Sequence, residues 1–262
     1  MAASTAALRG ITKQYKDFTL GPVDMTVPAG SIVGLIGENG AGKTTLLKIL
    51  CGVNRADDGT VDLLGGSPAD AATRAKIGVV FEDAFFYGSF TAAQVARSLA
   101  GMYGARWNAD SFSAYLRRFG LDAGKKLKEY SRGMRLKLSL AAALAHDPEL
   151  LVLDEATAGL DPVVRGELLD LFLEFIQDER HSIVMSSHIT ADLEQIADSI
   201  AYLHNGQLLF QENKDDLLQE YGVLHCGEDV LTSLPAGLVV FTRRGAYGCE
   251  SLVRERRTVQ EL

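Results

Sequence analysis

Residues 37–44 read Gly-Glu-Asn-Gly-Ala-Gly-Lys-Thr, and this stretch decides the fold of the chain. The apolar run Ile32–Ile36 precedes it and predicts a buried strand, while Thr45–Leu50 predicts a helix that ends near Gly52. Glycines let consecutive backbone N–H groups turn toward an anion, and the positive end of a helix follows them. The pattern G-x-x-x-x-G-K-T between a strand and a helix therefore predicts a phosphate-binding loop.

The predicted nucleotide-binding residues form one continuous run. Within it, Lys43 is expected to reach the β- and γ-phosphates of ATP, and the hydroxyl of Thr44 is expected to bind Mg²⁺. The predicted cofactors are thus ATP and Mg²⁺. The complete set is Gly37, Glu38, Asn39, Gly40, Ala41, Gly42, Lys43, Thr44 and Thr45.

A second apolar run, Leu150–Leu153, ends in Asp154 and Glu155. A hydrophobic strand is a stiff support that can carry a carboxylate to a metal ion. Asp154 fits the metal-binding role, and Glu155 fits a general base that polarises the attacking water. An apolar strand that ends in Asp-Glu is common by itself. Its position downstream of a phosphate loop is what favours the catalytic interpretation.

Composition narrows the remaining function classes. The chain has 262 residues and a net charge of −8, which argues against general attraction to nucleic acid or to an anionic membrane surface. No run approaches about 18 apolar residues, so no transmembrane helix is predicted. Cys51, Cys226 and Cys249 are widely spaced. They are interpreted as small buried hydrophobes in a reducing compartment, with neither a zinc site nor a disulfide framework.

Together these motifs resemble the ATP-binding subunit of an ABC transporter, over residues 8–221. The segment Ser131-Arg132-Gly133-Met134 is similar to the family's LSGGQ signature, and Ala158-Gly159-Leu160-Asp161 resembles its D-loop. His188 resembles the switch histidine. Tyr15 stands where the family has an aromatic ring that stacks on adenine.

The resemblance implies an α/β fold, a P-loop NTPase with an ABC-type RecA-like core. An antiparallel β subdomain and a helical subdomain at about residues 91–147 complete the expected ATP-binding domain, residues 1–221. Short strands with Gly and Pro turns predict a small C-terminal β appendix over residues 222–262.

The resemblance also implies roles for residues outside the loop. In this family, Ser131 and Gly133 contact the γ-phosphate held by the opposite subunit, so the site is completed in a head-to-tail dimer. His188 is expected to hydrogen-bond the γ-phosphate and to help align Glu155. The sequence leaves open whether the second nucleotide-binding subunit is another copy of this chain or a different one.

The implied function is ATP hydrolysis that powers a separate transmembrane permease, in an exporter similar to bacterial two-component systems. The expected location is the cytoplasmic face of the cell membrane, reached through that partner, and no nucleic-acid partner is expected. Two alternatives stay open at this point. One is a soluble ABC-type ATPase in cofactor assembly or repair, and the other is a nucleotide-binding regulatory module.

Two departures from the family pattern stand out. Glu82 replaces the Q-loop glutamine, so an acceptor-only carboxylate takes the place of an amide near Mg²⁺ or its water. In the signature, Tyr130, Arg132 and Met134 replace leucine, glycine and glutamine. Ser131 and Gly133, the residues to which the resemblance assigns phosphate binding, are retained.

The aromatic segment Phe85-Phe86-Tyr87 follows Glu82 in a predicted loop. One interpretation is packing into the core. The other is a groove wall that receives a short helix from a membrane partner. The sequence does not separate the two.

Overall fold

The computed structural model describes residues 4–81, 86–235, 237–245 and 248–261. The chain divides into two compact units, Met1–Gln211 and Glu212–Leu262. The first unit contains the phosphate loop and the motifs that follow it as far as His188.

The first unit alternates strands with helices over the described residues. Its strands are β1 (Ser4–Gln14), β2 (Thr19–Pro28), β3 (Ile32–Ile36), β4 (Asp58–Leu63), β5 (Ile77–Val80), β6 (Leu150–Asp154), β7 (Ser182–Ser186), β8 (Ser199–His204) and β9 (Gln207–Asn213), the last of which crosses the unit boundary. Its helices are α1 (Lys43–Leu50), α2 (Ala71–Arg74), α3 (Ala92–Tyr103), α4 (Ala109–Arg118), α5 (Arg132–Leu144), α6 (Pro162–Phe175) and α7 (Thr190–Ile196).

A central sheet has the strand order β5-β6-β7-β3-β8-β9. From β5 to β8 the neighbouring strands run parallel. Every residue of β6 and β7 is buried, as expected for parallel strands covered on both faces. Because parallel strands end at the same edge, the loops after β3, β6 and β7 meet there.

A second sheet is antiparallel, with the order β2-β1-β4. Inward-facing residues of β1 and β2, such as Leu8, Ile11 and Val23, belong to the same core cluster as Val33 and Leu35 of β3. This sheet is the predicted antiparallel β subdomain, and it supports the strand that leads into the phosphate loop.

The predicted helical subdomain contains α3, α4 and α5. These helices have a core of their own, built around Val95, Phe112, Leu116 and Leu138. Thr91 caps α3 with a capping box, in which its side chain accepts from Gln94 N at 3.3 Å. The subdomain therefore folds around its own apolar residues, and it places the start of α5 at its surface.

The second unit carries the sheet β10-β12-β11, formed by β10 (Gly222–Cys226), β11 (Val239–Gly245) and β12 (Gly248–Val253). It also contains helices α8 (Lys214–Glu220), α9 (Glu228–Ser233) and α10 (Arg256–Glu261). The sequence places the boundary at 221/222, ten residues later than the compact units do. The reason is that α8 contacts α10, where Arg256 Nη1 donates to the carbonyl of Leu218 at 3.4 Å.

Over the described residues, no helix is long and apolar enough to cross a membrane.

Within the aromatic segment Phe85-Phe86-Tyr87, the two described residues lie in different environments. Phe86 packs against the core of the helical subdomain, whereas the side chain of Tyr87 is 78% exposed. Phe85 lies outside the described residues, as does Glu82, and the role predicted for Glu82 stays a prediction.

Candidate functional site

The phosphate loop connects the end of β3 to the first residue of α1. Gly42 has φ +107°, and a Cβ there would lie 2.9 Å from Cζ of Phe18. A Cβ on Gly37 would lie 2.2 Å from the carbonyl oxygen of Leu203. Side chains are therefore excluded at both positions, which explains why the turn uses glycine.

Lys43 folds back over this loop. Its side chain is 5% exposed, and Nζ donates to the carbonyl of Gly37 at 2.7 Å and to that of Glu38 at 3.3 Å. Nζ also lies 3.4 Å from Oε1 of Glu155. The ammonium is thus held at the mouth of the loop, where the pattern predicts the β- and γ-phosphates.

Asp154 ends β6 and is 2% exposed. Its carboxylate accepts from Thr44 Oγ1 at 2.8 Å and from Ser186 Oγ at 2.6 Å. Ser186 is not among the site residues predicted from the sequence. Only the register of the strands identifies it, because Ser186 ends β7 and is the strand partner of Asp154.

Glu155 follows Asp154 with φ +51°, a left-handed conformation that is uncommon outside glycine. Its backbone N–H donates to Ser186 Oγ at 3.0 Å. Its Oε2 accepts from the backbone N–H of His188 at 3.3 Å and lies 2.5 Å from His188 Nδ1. The turn therefore directs the carboxylate toward Lys43 and His188.

We call Lys43, Thr44, Asp154, Glu155 and His188 the strand-end cluster. The structure brings all of them together at the carboxyl edge of the parallel strands. Thr44 and Asp154 provide a hydroxyl and a carboxylate, which are hard oxygen ligands. Among the described residues, no group of at least three His, Cys, Asp or Glu side chains could hold a metal.

A cleft of about 390 Å³ lies beside the loop. Its lining includes Tyr15, Phe18, Asn39, Thr45 and Glu155, along with other loop residues. The side chain of Tyr15 is 45% exposed, and its ring centroid is 6.4 Å from that of Phe18. The predicted adenine-stacking ring therefore lies on the rim of the cleft that the loop forms.

Ser131 and Gly133 lie elsewhere, at the start of α5. Ser131 is the exposed N-cap residue, and its Oγ accepts from Met134 N at 3.2 Å. Neither residue lines the cleft beside the phosphate loop. A Cβ on Gly133 would lie 3.6 Å from Leu160 Cδ2, so the start of α5 contacts the segment that resembles the D-loop. We call Ser131 and Gly133 the α5 start.

A glycine loop between a strand and a helix, with a buried lysine above it and carboxylates at the neighbouring strand end, defines a P-loop nucleotide-binding protein. The comparisons agree with this class. The family described as "ABC transporter" matches residues 20–158, which is more than half of the chain. The chain belongs to the ABC transporter family, as an ATP-binding subunit with ATPase activity.

Three bacterial proteins illustrate the similarity. The chain is 36% identical to the bacitracin transport ATP-binding protein BcrA of Enterococcus faecalis, over 79% of this chain and 68% of that protein. It is 33% identical to the lantibiotic transport ATP-binding protein SrtF of Streptococcus pyogenes, over 79% of this chain and 90% of that protein. An uncharacterized ABC transporter ATP-binding protein of Synechocystis is 38% identical, and the chain spans 58% of its length.

Solved structures support the same fold. A structure described as the ATP binding subunit of an ABC transporter superposes with a TM-score of 0.74 at 28% identity, covering 82% of this chain and 92% of that one. The dimeric ATP-binding cassette MJ0796, solved in a post-hydrolysis state with ADP and Pi, gives a TM-score of 0.71 over 79% of this chain and 98% of that one, and at 23% identity it shows the fold alone. The predicted fold class and family are confirmed.

Proposed function

We propose that this chain powers a separate transmembrane permease in an ABC exporter, from the cytoplasmic face of the cell membrane. The relatives BcrA and SrtF are named for bacitracin and lantibiotic transport, which favours the export of peptide-like compounds. The single observation that supports ATP hydrolysis as the source of that power is the position of Glu155, which contacts both Lys43 and His188 beside the phosphate loop.

ATP would bind along the loop. Lys43 already points its ammonium at the loop mouth, so it meets the β- and γ-phosphates without a large rearrangement. Thr44 and Asp154 would hold Mg²⁺, which when bound neutralises charge on the phosphate oxygens. Tyr15, on the rim of the cleft, would stack on the adenine ring.

Hydrolysis would depend on Glu155 as general base. Its carboxylate is half-buried and fixed from two sides, by the Lys43 ammonium and by His188. Ser186 fixes the turn below it by accepting from Glu155 N and donating to Asp154. These contacts hold the carboxylate in one orientation, so that it can take a proton from a water in line with the γ-phosphate.

The second subunit would complete the site. At the α5 start, Ser131 is exposed and Gly133 is half-buried, and neither residue lines the chain's own cleft, so the Ser131 hydroxyl and the Gly133 N–H would be available to a γ-phosphate bound by another chain. In a head-to-tail pair of ATP-binding subunits, the α5 start of each subunit would reach the γ-phosphate bound by the other. The second chain would be either a copy of this one or a homologue.

A membrane partner would couple this cycle to transport. The exposed ring of Tyr87 is the part of the aromatic segment that favours the groove-wall interpretation, because Phe86 is used in packing. Tyr87 would contact the helix that the permease inserts. Glu82, a few residues earlier, is proposed to lie close to Mg²⁺ or its water.

The test is isolation of the tagged full-length chain from solubilised membranes of its source. We expect a multi-span membrane protein to co-purify and to change the ATPase rate when the two are reconstituted in vesicles. The Tyr87→Ala variant should bind ATP normally but recover less of that partner. Full ATPase activity in a chain that never associates with a membrane protein would favour the soluble ATPase instead.

A further inference from the structure

The sheet of the second unit places Cys226 and Cys249 directly opposite each other. Strands β10 and β12 are antiparallel, and these two residues are partners in their register. Side chains at directly opposed positions extend from the same face of a sheet. Twenty-two residues separate the two cysteines in the sequence, so their spacing alone gives no indication of this pairing.

The distances of strand pairing suit a disulfide. Opposed residues in antiparallel strands have Cα atoms about 4.5 or 5.5 Å apart. Disulfides join Cα atoms about 4.4–6.8 Å apart, so either kind of pair falls within their range. Gly248 favours a close approach here, because a Cβ at that position would lie 3.0 Å from the carbonyl oxygen of Cys226.

Both cysteines also line one open cleft of about 500 Å³. Cys226 is half-buried and Cys249 is 5% exposed, so a small reagent in the cleft meets Cys226 first. Arg243 and Glu250 line the same cleft, and Arg243 Nη1 lies 4.0 Å from Glu250 Oε2, so the cleft is polar and carries both signs of charge.

We propose that Cys226 and Cys249 are a reversible thiol–disulfide site, oxidised by low-molecular-weight disulfides that enter this cleft. The Cys226 thiolate attacks one sulfur of the small disulfide, whose S–S bond breaks and releases one small thiol. The Cys249 thiolate then attacks the Cys226 sulfur, which forms the cross-strand bond and releases the second small thiol. The cysteine pair loses two electrons, the small disulfide gains them, and the two thiol protons pass to the released thiolates.

Cys51 is an internal control for this chemistry. It is the C-cap residue of α1 and is 1% exposed, and burial raises its thiol pKa to about 12, with the charge of Asp154 adding to the effect. The thiolate is the reactive form, so both the burial of Cys51 and its raised pKa disfavour reaction there. Cys51 therefore serves as a comparison thiol in the same chain.

The experiment treats the reduced, full-length chain with oxidised glutathione, then alkylates the remaining thiols in denaturant and maps the peptides by mass spectrometry without reduction. We expect the Cys226 and Cys249 peptides to be joined, Cys51 to be alkylated, and dithiothreitol to reverse the link. A Cys51→Ser variant should give the same link. Cys249→Ser should instead retain glutathione on Cys226.

Three results would overturn the proposal. The first is alkylation of both Cys226 and Cys249 in the oxidised wild-type chain. The second is a stable glutathione adduct on Cys226 in the wild-type chain, because the second exchange would then not occur. The third is a link that joins two chains or involves Cys51. ATP hydrolysis is not the readout, so failure here is distinguishable from failure of the proposed function.

Discussion

The strand-end cluster and the α5 start are both expected to act on a γ-phosphate, the cluster on the chain's own nucleotide and the α5 start on the nucleotide of another chain, and they are built in opposite ways. In the cluster, Lys43 and Asp154 are buried and each contacts neighbours within the same chain. At the α5 start, Ser131 is exposed, and its described hydrogen bonds come from Met134 N and Arg135 N of its own helix. The residues that bind the chain's own nucleotide are held in place by contacts within the chain. The residues expected to reach another chain's nucleotide must instead face outward.

Because the two regions are built differently, substitutions in them should cause different defects. Substitutions in the cluster should damage binding or chemistry in a single chain. Substitutions at the α5 start should leave ATP affinity intact and reduce only the turnover that needs two chains. The four predictions below test the contrast from the largest effect to the smallest.

Glu155→Gln is expected to have the largest effect on turnover. Loss of a general base costs about 10²–10⁴-fold in rate, and ATP affinity should be retained because Lys43 and the loop are unchanged. Steady-state phosphate release and a nucleotide-binding titration measure the two quantities. Glu149→Gln is the matched control, since Glu149 immediately precedes the same strand and pairs with Lys76 at 3.4 Å. Unchanged turnover in Glu155→Gln would remove Glu155 from the mechanism.

Lys43→Ala is expected to weaken ATP binding by about 10–100-fold, because a hydrogen bond to a charged group contributes about 1.5–3 kcal/mol. Equilibrium titration with a fluorescent ATP analogue measures the change. Lys48→Ala is the control, since Lys48 lies on the same helix and its Nζ lies 5.6 Å from the centroid of the Phe81 ring. ATP affinity that survives Lys43→Ala would contradict the assignment of the loop itself.

Ser131→Ala is expected to lower turnover about tenfold while ATP affinity per chain stays unchanged, since the lost hydrogen bond would act on the partner's nucleotide. Loss of the N-cap should also cost about 1 kcal/mol of stability. Asn108→Ala controls for that cost, because Asn108 caps α4 by accepting from Ser111 N at 2.9 Å. If the two variants lose turnover equally, the effect of Ser131 is on folding and not on a second chain's phosphate.

Tyr15→Ala is expected to give the smallest change, a loss of about fivefold in ATP affinity, which corresponds to about 1 kcal/mol of stacking. Tyr15→Phe should retain nearly all of the affinity. It keeps the ring and removes only the hydroxyl that accepts from Asn54 Nδ2 at 3.4 Å. Equal losses in the two variants would assign the contribution to the hydroxyl and rule out stacking.

The sequence predicts the parts of the site that are contiguous. The loop with Lys43 and the strand with Asp154 and Glu155 each carry a local pattern that the chemistry requires, and the family and fold class are confirmed. Ser186 lacks such a pattern, because a serine at a strand end is ordinary until the neighbouring strand is known. Its contacts with Asp154 and Glu155 arise from the parallel register of β6 and β7.

Contacts in the second unit likewise have no local sequence pattern from which they could be predicted. The pairing of Cys226 with Cys249 depends on the register of β10 with β12. The boundary before α8 depends on a contact with α10, near the end of the chain. Phe86 and Tyr87 are adjacent and chemically similar, yet only the fold of the helical subdomain decides which ring packs and which is exposed.

The strand order of the central sheet has a consequence for the length of the side chains in the phosphate loop. Strand β7 lies between β3, which leads into the phosphate loop, and β6, which carries Asp154. Neighbouring strands are about 4.8 Å apart, so the backbone alone separates the loop strand from the carboxylate strand by about 10 Å. Side chains close this gap, because Lys43 Nζ lies 3.4 Å from Glu155 Oε1 and Thr44 Oγ1 donates to Asp154 at 2.8 Å. A shorter side chain at either loop position would therefore leave the loop and the carboxylates apart.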